Sequence, residues 1–261
     1  MTPVDVTGRG DPLVLIHGLA TTRSIWRHTI AQLAETRQVF TLDVPGFGTS
    51  RPVARGFDLE TVAGRVDEDL TRAGVTRPFE LVGHSMGAAV ALTLAAREPA
   101  AVRSLVLVSP AGLRPIPRTV AAAIGLAAEI YIPVRRRASP LASWSWGRRL
   151  LMAGGVANGA ALEPAVVRTL VAASHGAQRT GPALSAVASA DLRDMLADLP
   201  LPVGAMWGRD DRVIPPGGAR TMLQLRPDAR CEIVEGAGHI SMVEQPEAFV
   251  EALERLLVAM S

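Results

Sequence analysis

The chain has 261 residues, of which 48% are hydrophobic, and its 27 basic and 25 acidic residues give a formal net charge of +2 at pH 7. This length and hydrophobicity allow one large buried core, and the single cysteine excludes an internal disulfide. All the basic residues are arginine, which excludes lysine Schiff-base chemistry and a Ser-Lys dyad.

Short apolar runs that predict β-strands alternate along most of the chain with helical patterns. The predicted strands are residues 13–16, 39–42, 79–82, 102–108, 203–207 and 231–234. The predicted helices are residues 25–35, 59–73, 86–97, 218–225 and 244–259. This alternation predicts an α/β fold, with a mostly parallel central sheet and helices on both of its faces.

A glycine-flanked serine stands between the predicted strand 79–82 and an alanine-rich helical stretch. The local sequence is Gly83-His84-Ser85-Met86-Gly87. A strand that turns abruptly into a helix strains the residue at the bend, and the two glycines leave room for that bend. The pattern is typical of a nucleophile elbow, which would present the Ser85 hydroxyl at the edge of the sheet.

The alternation of strands and helices stops between residues 109 and 201. This stretch of about ninety residues has helical and Pro/Gly-rich character and no convincing strand. It is too long to be a loop within a compact domain, so it predicts an inserted helical subdomain.

Two further polar turns follow the last two predicted strands. Asp210 and Asp211 come after the strand 203–207, and His239 comes after the strand 231–234. The carboxyl ends of parallel strands share one edge of a sheet, so these side chains can converge on Ser85. A histidine base and a carboxylate that orients it are what a serine nucleophile needs. Spacing alone leaves both aspartates open.

Two earlier motifs complete a resemblance to the α/β-hydrolase superfamily. Residues 13–18 (LVLIHG) resemble its strand and His-Gly turn, and residues 43–50 (DVPGFGTS) resemble its D-x-P-G-x-G-x-S loop. The order Ser, Asp, His is also that of this superfamily. The resemblance covers nearly the whole chain, although its start is short for the family, and it implies that residues 3–7 supply a remnant of a preceding strand.

The resemblance also implies roles for particular residues and a division of the chain. It selects Asp211 as the acid of the catalytic triad, and it assigns the oxyanion hole to the backbone N–H groups of Leu19 and Met86. The implied α/β-hydrolase core is residues 1–109 and 201–261. Residues 110–200, here called the cap segment, would form a helical cap over the active site.

The remaining histidines are interpreted as structural or solvated. His17, at a predicted strand end, is expected to form hydrogen bonds that hold the oxyanion loop. His84 precedes the nucleophile, so its side chain is expected to leave the strand on the opposite side from the site. His28 and His175 are interpreted as solvated positions. Cys231 is expected to be a small buried residue.

The cap segment is strongly basic. Between residues 111 and 190, nine arginines stand against Glu129 and Glu163, a net charge of +7. A solvated face is the simpler interpretation, and attraction of an anionic substrate or an acidic membrane surface is the alternative. The apolar stretches 120–134, 150–156 and 166–173 are expected to keep the cap docked on the core. The first is shorter than the roughly 20 residues that span a bilayer, so no stable membrane insertion is expected.

These observations predict a serine hydrolase, a carboxylesterase that cleaves small-molecule esters of short to medium acyl chain through an acyl-enzyme. The catalytic residues are Ser85, Asp211 and His239. No cofactor, metal or nucleic acid is expected, and residues 1–12 lack an apolar signal region, which favours the cytoplasm. The alternatives are a C–C bond hydrolase of the meta-cleavage type, an acyltransferase or cofactor-free haloperoxidase, and a non-enzymatic ligand receptor. Ile240 after His239 disfavours the first, because those enzymes commonly have Trp there.

Overall fold

A computed structural model describes residues 4–51, 57–173 and 180–261 of the chain. His175 and Arg179 lie outside these residues. Within them, one sheet contains seven strands. The strands are Val4–Thr7 (β1), Asp11–Ile16 (β2), Arg37–Leu42 (β3), Phe79–His84 (β4), Val102–Val108 (β5), Val203–Gly208 (β6) and Arg230–Val234 (β7).

The strand order in the sheet is β1-β3-β2-β4-β5-β6-β7. Strand β1 pairs with β3 in antiparallel register, Val4 opposite Leu42, and every other pairing is parallel. The expected strand remnant near residues 3–7 is therefore the short edge strand β1. Because β4 lies in the middle of the sheet, the turn that follows it is surrounded by the carboxyl ends of other strands.

Eleven α-helices occur in the described residues. They are Ile30–Leu33 (α1), Leu59–Arg72 (α2), Met86–Arg97 (α3), Arg118–Arg137 (α4), Ser145–Leu151 (α5), Pro164–Ala173 (α6), Thr180–Ser189 (α7), Arg193–Ala197 (α8), Gly218–Leu225 (α9), Ser241–Glu244 (α10) and Pro246–Ala259 (α11). Among them, none combines the length and hydropathy that crossing a bilayer requires.

Two of the predicted helices are interrupted. The prediction of one helix over residues 25–35 is wrong: a short 3-10 turn, Arg23–Trp26, precedes the single turn α1. The hydroxyl and the backbone N–H of Thr29 both donate to the Trp26 carbonyl oxygen, and these bonds end the 3-10 turn before α1 begins. The prediction over residues 244–259 misses a break at Gln245, after which Pro246 starts α11, a position where its missing N–H costs nothing.

The sheet divides the core into two layers because successive side chains of a strand point to opposite faces. Val14 and Ile16 of β2 pack with helices α2 and α3 on one face. Leu13 and Leu15 of the same strand pack on the other face with Trp26 and the apolar side of α11. Both faces are covered, as the alternating pattern predicts.

Helices α4 to α8 lie in the chain between β5 and β6, and they differ in how they are held. Apolar residues of the stretches 150–156 and 166–173 are buried with the second core layer, as expected. The expectation for residues 120–134 is wrong, because the buried positions of α4 are only Ala121 and Gly125. Those small residues let α4 approach α7 so closely that a Cβ on Gly125 would lie 2.5 Å from the Gly181 carbonyl oxygen.

Candidate active site

Ser85 occupies the turn between β4 and α3 in a strained backbone conformation, with φ 54° and ψ −115°. Its N–H donates to the Val108 carbonyl oxygen over 2.9 Å, which fixes the turn to β5. Gly83 is needed because a Cβ there would lie 2.4 Å from the Gly87 carbonyl oxygen. The missing Cβ of Gly83 therefore permits the sharp bend that the glycine-flanked pattern predicts.

His239 lies in the loop between β7 and α10 and reaches Ser85 across the end of the sheet. Its Nε2 is 3.0 Å from the Ser85 Oγ, and its Nδ1 is 2.8 Å from the Asp211 Oδ2. The backbone N–H of His239 donates to the Gly155 carbonyl oxygen over 3.2 Å, so the cap segment contacts this loop directly. The three side chains form one continuous hydrogen-bonded chain.

Asp211, and not Asp210, makes the contact with His239. The other carboxylate oxygen of Asp211 accepts from the N–H groups of Val213 and Ile214, each over 2.9 Å, which orients the acid. Burial raises the pKa of Asp211. The hydrogen bond from His239, the charge of His239 and the backbone N–H of Ile214 lower it by more, so the pKa of Asp211 lies below its ordinary value. Asp210 is exposed, and its backbone N–H is bonded to the Ala237 carbonyl oxygen.

Two backbone N–H groups, those of Leu19 and Met86, are expected to form the oxyanion hole. Met86 is the first residue of α3, and the N–H groups of a first helical turn have no acceptor within the helix. Leu19 follows Gly18, whose backbone lies so near the nucleophile that a Cβ there would be 3.1 Å from the Ser85 Cβ. The Gly18 backbone and the start of α3 therefore both lie next to Ser85.

His17 holds the loop that carries Leu19. Its Nδ1–H donates to the Gly18 carbonyl oxygen over 2.8 Å, while its Nε2 accepts from the Val44 N–H over 2.9 Å. Burial lowers the pKa of His17 to about 4, so the ring is neutral at pH 7 and can accept that second bond. The expectation that His17 stabilises this loop by hydrogen bonds agrees with these contacts.

The position of His84 before Ser85 suggested that its side chain would point away from the site, but the structure places it against His239. Its ring centroid is 4.8 Å from that of His239, and its Nε2–H donates to the His239 carbonyl oxygen over 2.8 Å. Strand alternation sets the direction in which the side chain leaves β4, but the loop after β7 crosses that side as well. Burial lowers the pKa of His84 to about 3, so this contact uses a neutral ring.

Glu244 is a residue near the site that the sequence analysis missed. One carboxylate oxygen accepts from the Gly238 N–H over 2.9 Å, and the other accepts from the Ala157 N–H over 2.7 Å. Burial raises its pKa above the ordinary value. Glu244 thus joins the loop of His239 to the cap segment. Its position five residues after His239 was the available signal, but no local pattern indicated which backbone groups it would meet.

The other polar candidates lie away from these contacts. His28 is exposed and accepts a hydrogen bond from the Arg27 guanidinium over 2.9 Å. His175 lies outside the described residues. Cys231 is partly buried in β7, and this burial raises its pKa to about 11, which leaves an unreactive thiol.

Comparisons with known proteins agree on the kind of fold and chemistry. A family model described as the alpha/beta hydrolase family matches residues 13–252. A pimeloyl-[acyl-carrier protein] methyl ester esterase of Methylococcus capsulatus is 30% identical over an alignment 270 positions long, which covers 98% of each chain.

Solved structures give the same architecture. An esterase from Exiguobacterium antarcticum superposes with a TM-score of 0.82 at 23% identity, covering 100% of this chain and 96% of that one. A meta-cleavage product hydrolase from Pseudomonas fluorescens superposes with a TM-score of 0.78 at 20% identity, covering 100% and 95%. At these identities the likeness shows the fold alone.

Proposed function

The chain belongs to the alpha/beta hydrolase family, and on that premise we propose that it is a serine carboxylesterase with Ser85, His239 and Asp211 as its catalytic triad. The observation that carries the proposal is the continuous hydrogen-bonded chain from the Ser85 hydroxyl through His239 to the Asp211 carboxylate. The esterase relative from Methylococcus capsulatus supports ester hydrolysis as the reaction.

In the proposed mechanism, the Ser85 Oγ attacks the ester carbonyl carbon while the Nε2 of His239 accepts the hydroxyl proton. Asp211 accepts from Nδ1–H, which selects the tautomer with a free Nε2 and stabilises the imidazolium that forms. The N–H groups of Leu19 and Met86 donate to the developing oxyanion.

The tetrahedral intermediate collapses as His239 gives its proton to the departing alcohol, and an acyl-enzyme remains. Water then attacks the acyl group while His239 accepts its proton, and His239 returns that proton to the Ser85 Oγ as the C–Oγ bond breaks and the free acid leaves. Both half-reactions use the same three side chains and need no cofactor.

We also propose that residues 110–200 form a cap that limits the length of the acyl chain, with residues 1–109 and 201–261 as the core. The contacts of Gly155 and Ala157 with the loop of His239 support this placement. A cap closes a finite space, and each added methylene contributes roughly 0.8 kcal/mol only while it is buried. The proposed substrates are therefore esters of short to medium acyl chain.

A panel of nitrophenyl and methyl esters with acyl chains of increasing length tests this function, run beside a dienone ring-cleavage product. The methyl esters are included because the relative acts on a methyl ester, as its name states. We expect kcat/KM to rise with acyl length and then to level off or fall, with no cleavage of the dienone. Cleavage of the dienone with no turnover of any ester would contradict the proposal.

Ser85→Ala is the matched control for the panel. Because triad members act as a unit, we expect it to lower kcat by a factor on the order of 10³ or more, and His239→Ala to do the same. The double variant should be little worse than either single variant. Retention of more than about a tenth of the wild-type turnover by a folded Ser85→Ala protein would remove the triad from the mechanism, because such a loss is too small for a nucleophile.

A further inference from the structure

Helix α4 turns an apolar face to solvent. Its exposed large side chains are 44% to 67% accessible and are Val120, Ile124, Leu126, Ile130, Tyr131 and Val134. At 3.6 residues per turn these six side chains fall within an arc of about 160° on one side of the helix. The opposite side, with Ala121 and Gly125, packs on α7. The helix is therefore amphipathic with its apolar face outward.

A second group of exposed apolar side chains lies in the neighbouring turn and helix. Trp144 and Trp146 are 53% and 56% accessible, and their rings stack with centroids 6.2 Å apart. The end of α4 is tied to the end of α5 because the Arg135 Nε donates to the Leu151 carbonyl oxygen over 2.7 Å. Large exposed apolar patches on a folded protein usually mark a surface that another apolar phase covers.

The charges around this face are positive. Arg137 in the last turn of α4 is exposed and falls within the same arc, and Arg149 on α5 is exposed as well. Glu129, the one acidic residue of α4, accepts a hydrogen bond from the Gly181 N–H over 2.6 Å on the side that faces α7. The apolar face thus carries a guanidinium group at its C-terminal end, and the acid of the helix is turned away from it.

We propose that this cap face docks on an anionic lipid surface. An interfacial helix combines an apolar face with basic residues beside it, and its arginines can extend toward lipid phosphates while their stems stay on the apolar side. Trp and Tyr side chains concentrate at the boundary between headgroups and acyl chains, which suits Tyr131, Trp144 and Trp146.

The same charges disfavour a second copy of the chain as the occupant. A two-fold contact places the same patch of both copies face to face, so the arginines of one copy would lie near those of the other. An acidic protein surface satisfies the charges but needs a matching apolar groove for one convex helix. A lipid surface satisfies both requirements without a matched shape.

Binding to vesicles tests the proposal, measured by flotation with wild-type protein and with Ser85→Ala so that lipid turnover does not interfere. Phosphatidylcholine vesicles are compared with vesicles in which about 30–40% of the lipid is the anionic phosphatidylglycerol. We expect binding to the anionic vesicles, loss of most of it at about 0.5 M salt, and little binding to the neutral ones. If the proposed triad has no esterase activity, the vesicle-binding results would not change, so failure of the proposed function is distinguishable from failure of this proposal.

The apolar arm compares Leu126→Gln/Ile130→Gln/Val134→Gln with the control Val213→Gln/Leu223→Gln/Val258→Gln, which changes three exposed apolar residues of the core. All the replaced side chains are at least 42% accessible, so both proteins should fold, as circular dichroism would check. We expect the first set to weaken partitioning at least about tenfold and the control to change it less than about twofold.

The charge arm compares Arg137→Gln/Arg149→Gln with Arg220→Gln/Arg230→Gln, two exposed arginines outside the cap segment. The loss of two charges at an anionic surface should weaken partitioning about 30-fold, while Arg137→Lys/Arg149→Lys should retain it. Equal loss from the two glutamine pairs, or no vesicle binding by the wild type, would overturn the proposal. A wild-type dimer that becomes monomeric in the apolar variant would also overturn it, because a second copy would then cover the face.

Discussion

Helices α3 and α4 are both rich in alanine and large aliphatic residues, yet α3 is largely buried and most of α4 is exposed to solvent. Ten consecutive residues of α3, from Met86 to Ala95, are buried, whereas α4 buries two residues of its twenty. The difference comes from their neighbours. Helix α3 lies between the sheet and α2, and α4 is held mainly along the narrow strip that meets α7. Apolar composition predicts a helix, but the surrounding elements decide which face is covered.

This contrast assigns different work to the two regions. The buried helix starts at the nucleophile, so its dense packing fixes the strained turn of Ser85 and the direction of the Met86 N–H. Among the described residues, no hydrogen bond joins the exposed helix to the side chains of Ser85, His239 or Asp211, and the cap segment reaches the loop of His239 through residues 155–157. We therefore expect the residues around α3 to govern the chemical step and the stability, and the exposed face of α4 to govern contacts with other surfaces.

The strongest test of this division changes the acid on the core side. Asp211→Asn presents an amide where His239 needs a carboxylate, so we expect a loss of kcat on the order of 10³ to 10⁴, as the wrong tautomer produces in other triads. Asp210→Asn is the matched control and should stay within about tenfold, because its side chain is exposed. Steady-state kinetics on one nitrophenyl ester decides the matter, and the reverse ranking would transfer the role to Asp210.

The packing contrast itself is tested by one leucine from each helix. Leu94 of α3 is fully buried, and its replacement by alanine should lower the free energy of unfolding by about 2–5 kcal/mol. Leu126 of α4 is 67% accessible, so Leu126→Ala should change it by less than about 0.5 kcal/mol. Urea unfolding of both variants measures the two effects. A cost above about 1.5 kcal/mol for Leu126→Ala would mean that the face of α4 is covered in solution.

Lowering the pH should decrease the free energy of unfolding, because His17 and His84 are buried as neutral rings. His17 and His84 have pKa values of about 4 and about 3 in the folded protein, against 6.5 in an unfolded chain. Between pH 6.5 and about 4 the unfolded chain binds more protons, so the free energy of unfolding falls as the pH falls. The two rings together should remove about 2–4 kcal/mol between pH 7 and pH 5. The raised pKa of Glu244 acts in the opposite direction and offsets part of this loss.

Urea unfolding at pH 7 and pH 5 measures this dependence, with His84→Gln as the variant. Glutamine keeps an N–H donor for the His239 carbonyl oxygen but does not titrate. The pH dependence should therefore shrink by about half, since one of two titrating rings is gone. If the pH dependence of the free energy of unfolding were unchanged in a folded His84→Gln protein, protonation of His84 would not contribute to it.

The sequence predicted the parts of the site whose geometry is local. The strand, the tight turn and the helix around Ser85 lie within about twenty residues, and glycine patterns report such turns directly. The strand ends that carry Asp211 and His239 follow from the topology of a parallel sheet. The acid itself could be chosen only by resemblance, because one turn offers Asp210 and Asp211 equally.

Contacts between distant segments could not be predicted in this way. The ring of His84 meets His239 across 155 residues, and the Glu244 carboxylate meets the Ala157 N–H across 87. The exposed face of α4 was missed for the same reason, since its periodic apolar positions are equally typical of a helix packed on a core. Periodicity shows that a helix has an apolar side, and only the tertiary structure shows what that side faces.

The smallest expected effect concerns Glu244, where the two regions meet. Its carboxylate accepts from one N–H of the His239 loop and one of the cap segment, so Glu244→Gln sets an amide NH₂ group against one of these donors. We expect kcat to fall about tenfold with KM nearly unchanged, because a shift of His239 affects the transition state more than binding. Glu247→Gln, an exposed neighbour in the first turn of α11, is the control and should change neither parameter. Amide hydrogen exchange separates positioning from general destabilisation: it should speed up at Gly238 and Ala157 and stay unchanged in α3. Faster exchange at both amides with an unaltered kcat would mean that the core holds His239 in place without help from the cap.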